Sequence, residues 1–173
     1  MNKEALYQKC IAFHGHSCPG LVIGYRAALF ALELFGEDCQ KNAKISCIAE
    51  NDACGVDAVQ TILGCTVGNG NLCFRLTGKQ AFSFFERDSG KGTRLILKPL
   101  GAMPAKERVE YLLNSGNDVL FSIKEAGGPP PKPRKFKSLV CEKCGEETAE
   151  YFIRFENDTR VCPDCLTQYR RFN

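Results

Sequence analysis

The sequence predicts an α+β protein, with helices and a mainly antiparallel sheet forming a core and a small metal-bound module following it. Three observations predict this. Apolar residues recur at helical spacing from Leu21 to Phe35, and short alternating apolar runs cluster between residues 72 and 98. Two Cys-x-x-Cys pairs, Cys141/Cys144 and Cys162/Cys165, lie beyond a proline-rich basic stretch. The expected layout is a core over 1–126, a linker over 127–138 and a four-cysteine module over 139–173.

Residues 3–12 read as a short helix leading into His14-Gly15-His16-Ser17-Cys18-Pro19-Gly20. Pro19 suits the first turn of the next helix, where its missing N–H costs nothing, and Gly36 stops that helix. Lys44 to Ala49 is a strand, and Gly55 to Leu63 a helix with the Asn51–Cys54 turn at its start. Residues 64–71 carry three glycines and read as a loop. Runs at Leu72–Thr77, Ala81–Glu86 and Arg94–Lys98, divided by turn residues, predict an antiparallel meander. Pro104 opens a helix to about Leu113, and the alternation of Val119, Phe121 and Ile123 predicts a last strand or extended arm.

The linker, Gly127 to Lys137, holds four prolines and several cations, which make it extended and solvated. Beyond it the cysteine spacing is that of a tetrahedral thiolate site, and so short a segment gains its folding energy from the ion. Gly145 supplies the left-handed residue of the first knuckle, a hairpin turns near Asn157-Asp158, and Cys162 begins a helix to Arg171. Knuckle, hairpin and helix resemble a treble-clef zinc finger holding structural zinc. Rubredoxin-like iron is the rival, and the basic strip Lys132–Lys137 with Arg170 and Arg171 is either solvated or a nucleic-acid contact.

The chain's only two histidines, His14 and His16, stand within five residues of Cys18. In an extended segment such positions share one side, so imidazoles and a thiolate would converge on a second transition metal, expected to be zinc. Cys54, just before a helix, is the expected fourth ligand, with Cys65 the other choice. Either could instead serve as a reactive thiol. The remaining singletons Cys10, Cys39, Cys47 and Cys73 read as packing residues. The loop at 64–71 lacks the ending of a phosphate loop, and Lys79, Arg87, Lys91, Arg94 and Lys98 form either a solvated face or an anion site.

At 173 residues, 44% apolar and 25% charged, the composition is that of a globular protein. A net charge of +3 is too mild to imply nucleic acid or membrane, and no apolar run is long enough for a span. Eleven cysteines behind an N-terminus without signal-peptide character point to reduced thiols in a cytoplasm.

Several ordered motifs together carry a family likeness. Phe13-His14-Gly15-His16-Ser17-Cys18-Pro19-Gly20 precedes Gly24-Tyr25-Arg26, and Asp52-Ala53-Cys54-Gly55-Val56-Asp57-Ala58 follows. Gly64-Cys65-Thr66-x-Gly68-x-Gly70-Asn71 and Gly78-Lys79-x-Ala81-Phe82-Ser83-Phe84 complete the pattern. Over about residues 5–125 the chain resembles the FmdE family of formylmethanofuran dehydrogenase components. The resemblance implies an α+β core, a homodimer, and association with oxidoreductase subunits in molybdenum- or tungsten-dependent one-carbon oxidation of the kind found in methanogenesis. It assigns no catalytic residue and no organic cofactor to this chain. The alternatives are a stand-alone metal- or thiol-dependent enzyme acting on a small ligand and a zinc-finger regulator binding protein or nucleic acid.

Overall fold

The apolar segment that begins at Pro19 is the central helix of the larger of two units, Met1–Pro133 and Arg134–Asn173, in a computed structural model that describes residues 2–127 and 135–167. Helix α1 spans Lys3–His14, with the Asn2 side chain accepting from the Ala5 N–H at 3.0 Å. Gly15 ends it in the left-handed conformation, φ 96°. Helix α2 spans Pro19–Phe35 and is buried on nearly every side, from Leu21 through Leu32. A helix so uniformly apolar has to lie inside the fold.

Strand β1 (Ile45–Ala49), helix α3 (Gly55–Leu63) and strand β2 (Leu72–Phe74) follow. Strands β3 (Ala81–Glu86) and β4 (Gly92–Leu97), helices α4 (Ala105–Asn114) and α5 (Asn117–Leu120), and strand β5 (Phe121–Glu125) complete the unit. The sheet order is β2-β1-β3-β4-β5. Strand β3 lies at its centre with Ala81 through Phe85 all buried, and Phe82 and Phe84 enter the same core cluster as α2 and α3.

The expected meander of three consecutive strands does not form. Only β3 and β4 make a sequential hairpin; β2 lies parallel to β1, with Cys47 opposite Leu72, on the far edge from β4. Helix α3 carries the chain from β1 over to β2, as a parallel connection requires. Past Phe74 the chain crosses the end of β1, where the Thr77 and Gly78 N–H groups both donate to Glu50 O. The last strand begins two residues later than the Val119 alternation predicts, because α5 takes Val119 into a helical turn. Strand β5 then pairs antiparallel with β4.

In the smaller unit β6 (Ser138–Val140) pairs with β7 (Glu147–Ala149), and β8 (Arg154–Glu156) with β9 (Thr159–Val161). Asn157 and Asp158 both have positive φ, the pair that a tight two-residue hairpin needs. Residues 163–165 form a turn rather than the start of a helix, and the rest of the helix expected to Arg171 lies outside the described residues.

Candidate functional site

Three glycines set the geometry of the larger unit's site. A Cβ on Gly24 would lie 1.9 Å from Gly55 O, and one on Gly55 would meet Gly20 O and Gly24 N at 3.1 Å. The first turns of α2 and α3 therefore touch backbone to backbone, an approach that any side chain would prevent. That contact brings Cys18, which caps α2, beside Cys54, which precedes α3. A Cβ on Gly20 would lie 3.5 Å from Cys54 Sγ and 3.9 Å from Cys18 Sγ.

The ligand atoms of His14, His16 and Cys18 all lie within 4.8 Å of one another. They converge for a different reason from the extended segment expected. His14 is the last residue of α1, Gly15 reverses the chain, and Cys18 accepts from the Leu21 N–H at 3.4 Å as the cap of α2. The loop is pinned by Tyr7 and Ser17, whose hydroxyls lie 2.6 Å apart.

Asp57 Oδ2 lies 2.7 Å from His14 Nδ1. With the imidazole proton on Nδ1 toward that carboxylate, Nε2 is an acceptor and lies 3.8 Å from Cys18 Sγ. Tetrahedral zinc would separate such a nitrogen and sulfur by about 3.6 Å. Asp57 ends the Asn51–Asp57 stretch expected to offer a fourth ligand, and it serves instead as the partner of His14. Its position three residues after Cys54 on the same helix face was the available signal.

Cys54 lies outside the mutually close trio but lines a cavity of about 380 Å³ with His14, Asp52, Ala53, Val56, Asp57 and Phe74. Burial pushes the Cys54 thiol above its ordinary range, and the adjacent Cys18 thiol adds to this. Cys65 does not join the site. It is fully buried, donates to Ile45 O at 3.6 Å, and is pushed up to about 12 by burial. Cys10, Cys39 and Cys47 are buried packing residues as expected, while Cys73 is half-buried.

The glycine-rich loop folds around the buried Asn71. Asn71 Oδ1 accepts from the Thr66 N–H at 2.8 Å, and Nδ2 donates to Ile45 O and Gly64 O. Arg94 is neither a solvated residue nor an anion site: Nε and Nη2 donate to the two oxygens of Glu50 at 2.5 and 2.9 Å. Arg75 and Thr77 also donate to that carboxylate, which is 1% exposed. Arg26 crosses to the end of α4, where its guanidinium donates to Leu112 O, Leu113 O and Ser115 O. Those carbonyls have no partner within their own helix.

In the smaller unit the sulfurs of Cys141, Cys144, Cys162 and Cys165 all lie within 4.8 Å of one another. Zinc–sulfur bonds of about 2.3 Å give tetrahedral edges of about 3.8 Å. Cys144 and Cys162 are 3.9 Å apart. Backbone N–H groups of Cys144 and Cys162 pull the Cys141 thiol down to about 6, whereas the neighbouring Cys162 and Cys144 side chains push Cys165 up to about 12, so the four thiols share their protons unequally. Lys143 pairs with Glu156 and donates to Cys165 O, tying the two knuckles together. Four convergent sulfurs with backbone donors fit a zinc finger.

Comparison with known proteins gives the family and the fold. A family model described as FmdE, Molybdenum formylmethanofuran dehydrogenase operon, matches residues 13–118, which include His14, His16, Cys18 and every residue of the cavity. A probable S-adenosyl-L-methionine-binding protein of Archaeoglobus fulgidus is 38% identical over 89 residues, 49% of this chain and 24% of that relative. The chain thus matches about a quarter of that relative's length. The crystal structure of a tungsten formylmethanofuran dehydrogenase FmdE-like protein from Syntrophus aciditrophicus superimposes with a TM-score of 0.72 at 25% identity. The match covers 94% of this chain and 91% of the other. Coverage that high extends past Pro133, so the likeness includes residues of the smaller unit.

Proposed function

The chain belongs to the FmdE family, and on that premise we propose that its core binds one transition-metal ion, zinc, through His14 Nε2, His16 and Cys18. Cys54 or a solvent molecule completes the set. The observation that carries the reading is the convergence of three donor side chains with Asp57 fixing the His14 tautomer. Two imidazoles and a thiolate are donors of intermediate softness, suited to zinc and its neighbours rather than magnesium. A bound ion there would supply Lewis acidity to a ligand in the adjoining cavity. The chain's own residues bind and orient: Asp57 holds His14, the three glycines hold Cys18 against Cys54, and Cys54 faces the cavity.

Within the family, the proposed role is accessory to a molybdenum- or tungsten-dependent oxidoreduction of a one-carbon group in a cytoplasm. The other parts of the proposal are a homodimer and contact with oxidoreductase subunits. The edge of β5, with Val119 and Ile123 about half exposed beside it, is the surface proposed for self-association. Among the described residues no helix is long and apolar enough to cross a membrane. The layout of core, linker over 127–138 and finger stays part of this reading. A thiol-dependent enzyme is the second reading, favoured by the place of Cys54 in the cavity wall. Its raised thiol pKa opposes a free thiolate there.

Elemental analysis of the purified full-length chain should give two metal ions per chain. His16→Ala or Cys18→Ala should return the count to one. A count of one in the unmutated protein, or a count that neither substitution changes, would overturn the core site. Asp57→Asn should weaken the core metal by about 10- to 100-fold in a chelator competition while leaving the finger loaded. The accessory role requires the tagged chain to co-purify with pterin-bearing oxidoreductase subunits from its own cells, and recovery of the chain alone would refute it.

A further inference from the structure

We propose that the cavity beside His14 and Cys54 takes a small organic cation with an aromatic or flat apolar group, its charge set against Asp52 and its apolar part against Phe74. This deepens the metal-site reading and rests on it. The cavity's 380 Å³ is at the lower end of the range for small-molecule sites, about 300–1,000 Å³.

Its wall has two chemically distinct parts. Val56 and Phe74 supply the apolar part; Phe74, on the edge strand β2, is 43% exposed, a large aromatic left open at the mouth of a cavity. Asp52 and Asp57 supply the charge, and only one of them is free. Asp57 spends Oδ2 on His14 and Oδ1 on Gln60, whose Nε2 donates at 3.4 Å. Asp52 is exposed and makes no side-chain hydrogen bond or ion pair among the described residues.

No lysine or arginine lines the cavity among the described residues. The neighbouring Arg75 is turned away to Glu50 Oε1 at 2.8 Å. The charged side chains on the wall are therefore the two carboxylates, of which Asp52 alone has no partner among the described residues. Away from the ion the wall disfavours an anionic group, while an organic cation gains both the Asp52 charge and the Phe74 ring face.

The test uses the full-length chain with its metal content measured, and three probes of similar size: benzyltrimethylammonium, benzyl alcohol and benzenesulfonate, a weakly ligating anion. The quaternary cation cannot ligate a metal, so its binding reads the wall alone. Ligand-observed NMR titration should rank the cation first, about tenfold or more ahead of benzenesulfonate. Asp52→Asn should weaken the cation by about fivefold and leave the alcohol unchanged. Phe74→Ala should weaken all the probes that bind. Both side chains lie at the surface, and an unchanged metal count shows that either variant keeps the site. Benzenesulfonate binding as well as the cation, no saturable cation binding, or indifference to Asp52→Asn would each overturn the proposal. A chain holding two metals but showing no preference for the cation defeats this proposal alone. A chain holding one metal defeats the reading beneath it.

Discussion

In the finger, each pair of ligands is delivered by a four-residue knuckle, and the four sulfurs face one another with backbone N–H groups behind them. In the core, the donors come from the end of one helix, the loop after it and the caps of two more helices. They border a cavity. The finger's donor set is closed, and among the described residues its apolar cluster is only Val161 and Leu166 with the cysteines, so small a cluster that its folding energy has to come from the ion. The larger unit already has a buried sheet and helices, so His14, His16 and Cys18 sit on a scaffold built by apolar burial. Metal supplies structure where the apolar core is missing. Where the core is ample, the donors are free to serve a ligand.

The largest effect that would test this contrast is in the finger. Cys141→Ser should abolish amide protection from residue 138 to residue 161, because structural zinc is worth about 10–16 kcal/mol to such a module. Hydrogen exchange should show the larger unit unchanged. Protection that persists in the finger would mean that its apolar contacts suffice. The next effect belongs to the helix contact. Gly24→Ala places a methyl group 1.9 Å from a backbone oxygen, so the larger unit should lose about 3 kcal/mol or more. The core metal should go with it while the finger keeps its zinc. An unchanged thermal midpoint would overturn the account of how the site is assembled.

The smallest effect is a pH dependence confined to the larger unit. Arg94, helped by Arg75 and Thr77, holds the Glu50 carboxyl down to about 2 against the opposing effect of burial. In the unfolded chain a glutamate titrates near about 4.3. The stabilisation is therefore complete above that value and is lost as pH falls through about 2. Once screening at the exposed Arg75 is allowed for, it is on the order of 1–2 kcal/mol. Glu50→Gln should flatten the acid limb of a denaturant-midpoint profile between those pH values. An identical limb in the variant would assign the acid sensitivity to other carboxylates.

The elements were legible where local pattern and stop signals coincide. Pro19 and Gly36 bracket α2, and Asn157-Asp158 marks the finger's second hairpin. Strand partners were not legible. The run after Leu72 reads equally well beside β3 or beside β1, and only the crossing through α3 decides between them. His14, His16 and Cys18 stood out because both histidines of the chain lie there, but the residues that position them did not. Asp57 resembles any acidic residue in a first helical turn. Glu50 resembles a strand-end charge until two arginines from later segments close on it.

The sequence alone determined the finger's ligand set and the extent of the main helices, since both depend on spacing within a few turns of chain. It also determined which three residues of the core would face one another, because a reversal at Gly15 keeps them adjacent whatever lies elsewhere. The tertiary structure decided the sheet order, the pairing of His14 with Asp57 and the seat of Cys54. It also decided the cavity with Phe74 and Asp52. Each of these joins segments tens of residues apart, and such contacts depend on packing shape, here three glycines in backbone contact, which no local pattern records.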